Sequence, residues 1–147
     1  MSSLVKNGEN TISALPGWAL LLARACIAPL FLYSGVGKIL AFSATAGRLY
    51  GGADGFGRFL AGGAIAVELG CGVALLLGLF TRNAAIALIL FTIAATLMFH
   101  NFWAAPEAQV TVQTINFLKN AGLVGALALI ATLGAGSLSA DAVLRGN

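Results

Sequence analysis

Between residues 18 and 133 polar side chains are so sparse that the chain divides itself into four apolar runs and the breaks between them. The runs cover 18–37, 59–79, 84–102 and 115–133. Each is close to the roughly 20 residues that a helix needs to cross a hydrocarbon layer of about 30 Å. The breaks carry turn chemistry. Leu15-Pro16-Gly17 precedes the first run, and Gly47, Gly51, Gly52, Gly55 and Gly57 crowd the connector before the second. Phe80-Thr81-Arg82-Asn83 separates the second from the third, Pro106 precedes the fourth, and Gly134 and Gly136 end it. The pattern predicts an all-α fold, an integral-membrane four-helix bundle forming a single membrane domain over residues 1–147.

Details of the runs refine this expectation. Pro29 removes a backbone donor inside span one and predicts a kink there. The connector 38–58 belongs outside the hydrocarbon, where its irregular backbone can find hydrogen-bond partners. The short break at Phe80–Asn83 makes spans two and three antiparallel neighbours. Span four is solidly apolar only from Ala121 to Leu133, and it reaches spanning length by extending back through Ile115. In span two a row of small residues recurs at every fourth position, Gly62, Ala66, Gly70, Ala74 and Gly78. Such a ridge predicts close approach of a neighbouring helix. Glu68 lies on the opposite side between Ala64 and Gly72, so span two is expected in the middle of the bundle.

Composition narrows the function. Hydrophobic residues make up 59% of the chain and charged residues 9%. A soluble domain has about a quarter of its residues charged, so a lipid bilayer is the expected environment, with no room for a soluble catalytic module. The formal charge of +3 is spread along the chain, without the basic stripe that a phosphate backbone requires. Basic residues at span ends explain it, and nucleic acid is excluded as a partner. Cys26 and Cys71 lie inside spans and form no CxxC pair; they read as small hydrophobes. The first 15 residues lack the features of a secretory signal, so span one is expected to act as an uncleaved insertion signal. Lys6, Arg82 and Arg145 lie on the side of the termini, against Lys38, Arg48, Arg58 and Lys119 on the other. The count is nearly even, and Arg82, held in a tight turn, tips the reading towards cytoplasmic termini.

With so few charges, those inside or beside the spans carry the chemistry. At about 1.5 Å per residue, Lys38, His100, Asn116 and Lys119 fall near the face that bears the long connectors. By the same rise Glu68 lies roughly 12 Å below it. Convergence of these groups would line a pocket with a carboxyl, an imidazole, amides and ammonium groups. A carboxyl at that depth costs about 2.5–3.5 kcal/mol to insert and normally faces the bundle interior with a partner. Glu68 is therefore either a proton-handling or ligand-orienting acid, or one half of a structural ion pair. His100 is a proton donor to a bound head group, or an imidazole satisfied by a loop carbonyl. One His and one Glu are too few donors for a metal site, and none is expected. Arg24 shares a face with Phe31 and Lys38 by sevenfold spacing, or snorkels to the head groups. Lys119 anchors span four or joins the pocket. Asn116 and Asn120, which share a helical face with Gln113, are candidates for interhelical hydrogen bonds.

Taken in order, these residues resemble the DoxX family of small four-span bacterial membrane proteins. The resemblance runs from Leu22 onward. It rests on Arg24, Phe31, Ser34, Gly35 and Lys38 in span one, and on Glu68, Gly72 and Gly78 in span two. It continues through Thr81-Arg82-Asn83-Ala84-Ala85, His100 with Phe102, and Phe117-Leu118-Lys119-Asn120. The tail Gly134-Ala135-Gly136-Ser137-Leu138-Ser139-Ala140-Asp141 is similar to the family ending GPGxxSxD, with Ala135 in place of the proline. The resemblance implies a membrane subunit associated with quinone-linked oxidoreduction, of the kind linked to thiosulfate:quinone chemistry. The chain carries no CxxC, no pair of haem-type His ligands and no nucleotide-binding loop. The expected role is thus an accessory or anchor subunit with other protein subunits as partners. It has no covalently bound cofactor, is at most a quinone-interacting part of an oxidoreductase, and offers a quinone or lipid head-group pocket at Glu68, His100, Lys38, Asn116, Lys119, Asn120 and Arg24. A purely structural subunit and a small proton-coupled transporter, with Glu68 as the coupling acid, are the alternatives.

Overall fold

In a computed structural model that describes residues 16–146, the chain is all-α, and no strand occurs among the described residues. Of the four long helices, α1 (Gly17–Leu40), α3 (Phe56–Leu77), α4 (Thr81–Phe99) and α5 (Glu107–Leu133), the first two are connected through a short helix, α2 (Phe42–Gly47), and another short helix, α6 (Ala140–Leu144), follows the last. All four long helices are long and apolar enough to cross a membrane. Between 11% and 22% of each span is buried inside the protein, and large apolar residues such as Leu22, Leu77, Leu90 and Leu129 face outward on every helix. A water-soluble monomer does not expose apolar surface on that scale; lipid covers it here. The N-terminal expectations, including that for Lys6, lie outside the described residues.

Helix ends differ from the apolar runs for local reasons. α1 runs unbroken past Pro29 to Leu40, which takes Lys38 into its last turn, where a cation complements the helix dipole. Part of the connector 38–58 is the helical turn α2 rather than irregular chain. α5 begins at Glu107, well before 115, because Pro106 occupies its N-cap in extended conformation and Glu107 opens its first turn. An acid there favours initiation, so the first turns of α5 are polar.

The packing corrects one expectation about α3. An added Cβ at Gly62 or Gly70 would meet nothing within 4 Å, and Ala66 is exposed. The small-residue ridge therefore faces outward along most of its length. Close approach takes place on the opposite side. A Cβ on Gly72 would lie 3.0 Å from Leu32 of α1, and one on Gly35 would lie 2.7 Å from Leu69 and 3.3 Å from the Cβ of Glu68. The buried stripe of α3, Gly57, Ala61, Glu68, Gly72 and Leu75, is the face that α1 needs. Close backbone approach, which drives helix association in lipid, is thus centred beside Glu68.

α1 packs along α3, α3 along α4 and α4 along α5, while α1 and α5 touch only thinly. A dry core of Ala28, Phe31, Leu75, Ala85, Leu88, Leu127 and Ile130 fills the half nearer the short α3–α4 turn. In the other half the helices surround a cleft.

Candidate functional site

The cleft measures about 1000 Å³ and draws its walls from α1, α2, α3, α4 and α5. Most of its lining is apolar, with Phe31, Phe59, Phe91, Phe99 and Met98 among the larger side chains. Its polar lining comprises Ser34, Lys38, Thr45, Arg48, Glu68, Thr92, His100 and Asn120. A largely apolar cavity with a few converging polar groups is the usual form of a small-ligand site.

The centre of the polar group is an ion pair between α1 and α3. Lys38 Nζ lies 2.8 Å from Glu68 Oε1, and the carboxylate side chain is 3% exposed against 26% for the ammonium. The same Nζ donates to Ser34 Oγ at 2.7 Å. Ser34 and Lys38 stand one helical turn apart, so one face of α1 presents both to Glu68. An ammonium carries three donors; two are used, and the third is free to point at a ligand. Glu68 Oε2 is buried and has no hydrogen-bond partner among the described residues. A buried carboxylate oxygen without a partner is costly, so the site lacks one donor on the acidic side.

Around this pair the remaining polar groups are tied up to different degrees. Thr92 and Thr96 donate to the carbonyls of Leu88 and Thr92 on their own helix, at 2.7 and 2.6 Å. Asn120 Nδ2 donates to Thr96 Oγ1 at 2.9 Å, joining α5 to α4. His100, at the C-cap of α4, is half-buried at the rim and shares a 2.8 Å hydrogen bond between Nδ1 and Gln113 Oε1 of α5.

Glu68, Lys38, His100 and Asn120 thus share one cleft. Asn116 and Lys119 do not reach it. The exposed Lys119 Nζ donates at 3.4 Å to Asn116 Oδ1 within α5. Ser34 enters the site as a partner of Lys38, and its spacing four residues before Lys38 is the sequence signal for it. Arg48 enters from α2, which the glycine-rich composition of the connector conceals.

Arg24 is a correction. Fourteen residues before Lys38 on one helix, it lies about 21 Å away along the axis, at the opposite end of the bundle. It is fully buried, with Nη1 donating to the carbonyls of Leu75 and Leu76 at 3.4 and 3.2 Å and Nη2 to that of Leu138. Leu75 and Leu76 close α3, where carbonyls run short of intrahelical donors; the Leu75 carbonyl accepts from Gly78 N–H as well, at 3.2 Å, and Leu138 belongs to the tail after α5. The polar tail completes the arrangement. Asp141 accepts from the N–H groups of Phe80 and Thr81 at 2.8 and 3.0 Å, and its own N–H donates to Gly78 O at 2.8 Å. Burial works against the Asp141 charge, but these backbone donors and nearby Arg145 hold its carboxyl below the ordinary range. One end of the bundle is a clasp that caps α3 and α4, and the other holds the cleft.

The DoxX family model matches residues 19–101, and the SURF4 family model matches residues 64–145. Inner membrane protein YphA of Escherichia coli (strain K12) is 30% identical over 122 residues, which cover 83% of this chain and 87% of that protein. Inner membrane protein YqjF of the same organism is 33% identical over 125 residues, covering 85% of this chain and 91% of the relative. No solved structure matches the chain. With four apolar spans, the ordered motifs of spans one to three and relatives similar over nearly their full length, this chain belongs to the DoxX family and is a multi-pass inner-membrane protein.

Proposed function

We propose that the chain is an accessory subunit of a quinone-linked membrane redox complex, and that its cleft holds the head group of an isoprenoid quinone or a similar amphiphile. The observation that carries this reading is the Lys38–Glu68 pair, its carboxylate buried with Oε2 unpartnered, at the wall of a cleft large enough for a head group and the start of its tail. The third N–H of Lys38 suits a carbonyl oxygen of the ligand. Glu68 Oε2 suits a hydroxyl, so a head group offering both an acceptor and a donor matches the site better than an alkyl chain. Phe31, Phe59, Phe91 and Phe99 supply apolar and aromatic contact for a ring. A bound quinone would supply the two-electron, two-proton chemistry that the side chains of this chain lack. The chain's own part is to orient the head group, through a hydrogen bond donated by Lys38 Nζ and one accepted by Glu68 Oε2. His100, at the C-cap of α4, lines the same cleft.

Purification from its own membranes in mild detergent, followed by native mass spectrometry and lipid extraction, tests the reading. Wild-type protein is expected to retain an isoprenoid quinone or quinol, with most of it lost from Lys38→Met and Glu68→Gln. Wild-type protein free of any isoprenoid, or equal retention by both variants, would overturn it.

A structural subunit is the second reading, favoured by the fact that the ion pair itself bridges α1 and α3. On that reading the double variant Lys38→Met/Glu68→Gln keeps its partners and their activity. On the first reading the activity falls although the assembly survives.

A further inference from the structure

At the clasp end of the bundle, two arginines and the glycine-containing loop after α5 form a second site, independent of the cleft. We propose that it binds the phosphate of an anionic phospholipid head group, gripped by Arg82 and Arg145. Two adjoining grooves of about 290 and 300 Å³ are lined by both arginines together with Gly134 and Ala135. Each guanidinium is placed by the fold. Arg82, in the first turn of α4, lies against Gly134, whose added Cβ would sit 3.4 Å from Nε and 3.6 Å from Nη2. Gly134 has φ +86°, a conformation that glycine adopts freely, and its missing side chain lets the arginine cross the loop. Arg145 is tethered by a 3.0 Å hydrogen bond from Nε to the Asp141 carbonyl, leaving its Nη groups to point elsewhere.

Charge in the grooves favours an anion. Lys38–Glu68 is the only salt bridge among the described residues, so neither Arg82 nor Arg145 is neutralised in that way. The first groove also contains Asp141, whose carboxylate is held by the N–H groups of Phe80 and Thr81 and offsets part of the Arg145 charge, so two guanidiniums face one acid there. The second groove contains no acid and is completed by residues including Ser137 and Ala142. A guanidinium matches phosphate oxygens in a planar, bidentate way.

The surroundings point to a lipid as the carrier of that phosphate. Leu138, Val143 and Leu144 are 53%, 75% and 72% exposed beside the arginines, and Phe80 is 67% exposed. Apolar side chains turned outward at a span end belong among acyl chains. Cations next to them therefore lie at the depth of the phosphates.

Native mass spectrometry of the purified protein in neutral detergent, titrated with phosphatidylglycerol or phosphatidylcholine, tests the assignment. Wild-type protein is expected to retain the anionic lipid selectively, and Arg82→Gln/Arg145→Gln to bind it roughly 30-fold more weakly, the loss expected for two basic contacts at a membrane surface. Arg58→Gln/Lys119→Gln removes the same charge from the opposite end and should bind as wild type does. Equal loss in both double variants would mean diffuse attraction and overturn the site. So would binding of inorganic phosphate at the two arginines without retention of the lipid. Circular dichroism of each variant confirms that loss of binding is not loss of fold. An Arg82→Lys/Arg145→Lys variant, which keeps the charge, should recover part of the affinity.

Discussion

Replacing Gly78 by alanine is expected to destabilise the protein by about 3–5 kcal/mol, whereas the same change at Gly70 should cost nothing. Gly78 closes α3 in the left-handed conformation, φ +71°, which costs a residue with a Cβ about 1–2 kcal/mol. The new Cβ would also overlap the Arg24 guanidinium and the Ser139 Cβ. Moving that guanidinium breaks its bonds to the Leu75, Leu76 and Leu138 carbonyls, and a charged hydrogen bond contributes about 1.5–3 kcal/mol. Gly70 lies on the same i, i+4 ridge, but its Cβ would meet open space; alanine there should gain up to about 1 kcal/mol of helix propensity. Reversible unfolding by SDS in mixed micelles, followed by circular dichroism, measures both. A loss below about 1 kcal/mol for Gly78→Ala would refute the clasp. A loss at Gly70→Ala as large as that at Gly78→Ala would refute the placing of this ridge against lipid.

Three further outcomes follow from the same geometry. Arg24→Met should destabilise by a similar amount, and the Arg24→Met/Gly78→Ala double variant by much less than the sum, because both act on one guanidinium; additive losses in the same unfolding assay would contradict this. Lys38→Met should cost about 3–5 kcal/mol by leaving Glu68 buried without its partner, and adding Glu68→Gln should restore most of it; a double variant no more stable than Lys38→Met would disprove the coupling. For Asp141 the folded value lies below the ordinary 3.8, so its stabilisation is complete above that ordinary value and fades as pH falls through the lowered one. Asp141→Asn should therefore be less stable than wild type at pH 7 and lose that difference in strong acid; a gap independent of pH would refute the role of the charge.

The class of fold was legible in the order of the residues. A run of apolar residues of spanning length has few alternatives once lipid forbids unsatisfied backbone, so four spans and a tight turn between the second and third follow from composition and spacing alone. The turn itself falls at Gly78–Phe80, and Thr81–Asn83 already belong to α4. The need of Glu68 for a partner was legible too, because a carboxyl at mid-depth is costly without one. Helical rise was enough to bring Lys38 and His100 to the same end as the acid. The tertiary structure alone decided the rest. It chose which face of α3 is buried, because the outward ridge and the inward stripe are both made of small residues and differ only in which helix lies against them. It sent Arg24 to the far end, since a shared face fixes direction around an axis but not distance along it. It left Asn116 and Lys119 outside the cleft and brought in Arg48, and it used the tail as a cap for two helix ends. Contacts of that kind join residues more than fifty positions apart, and periodicity along one helix carries no information about which carbonyls a second helix leaves unsatisfied.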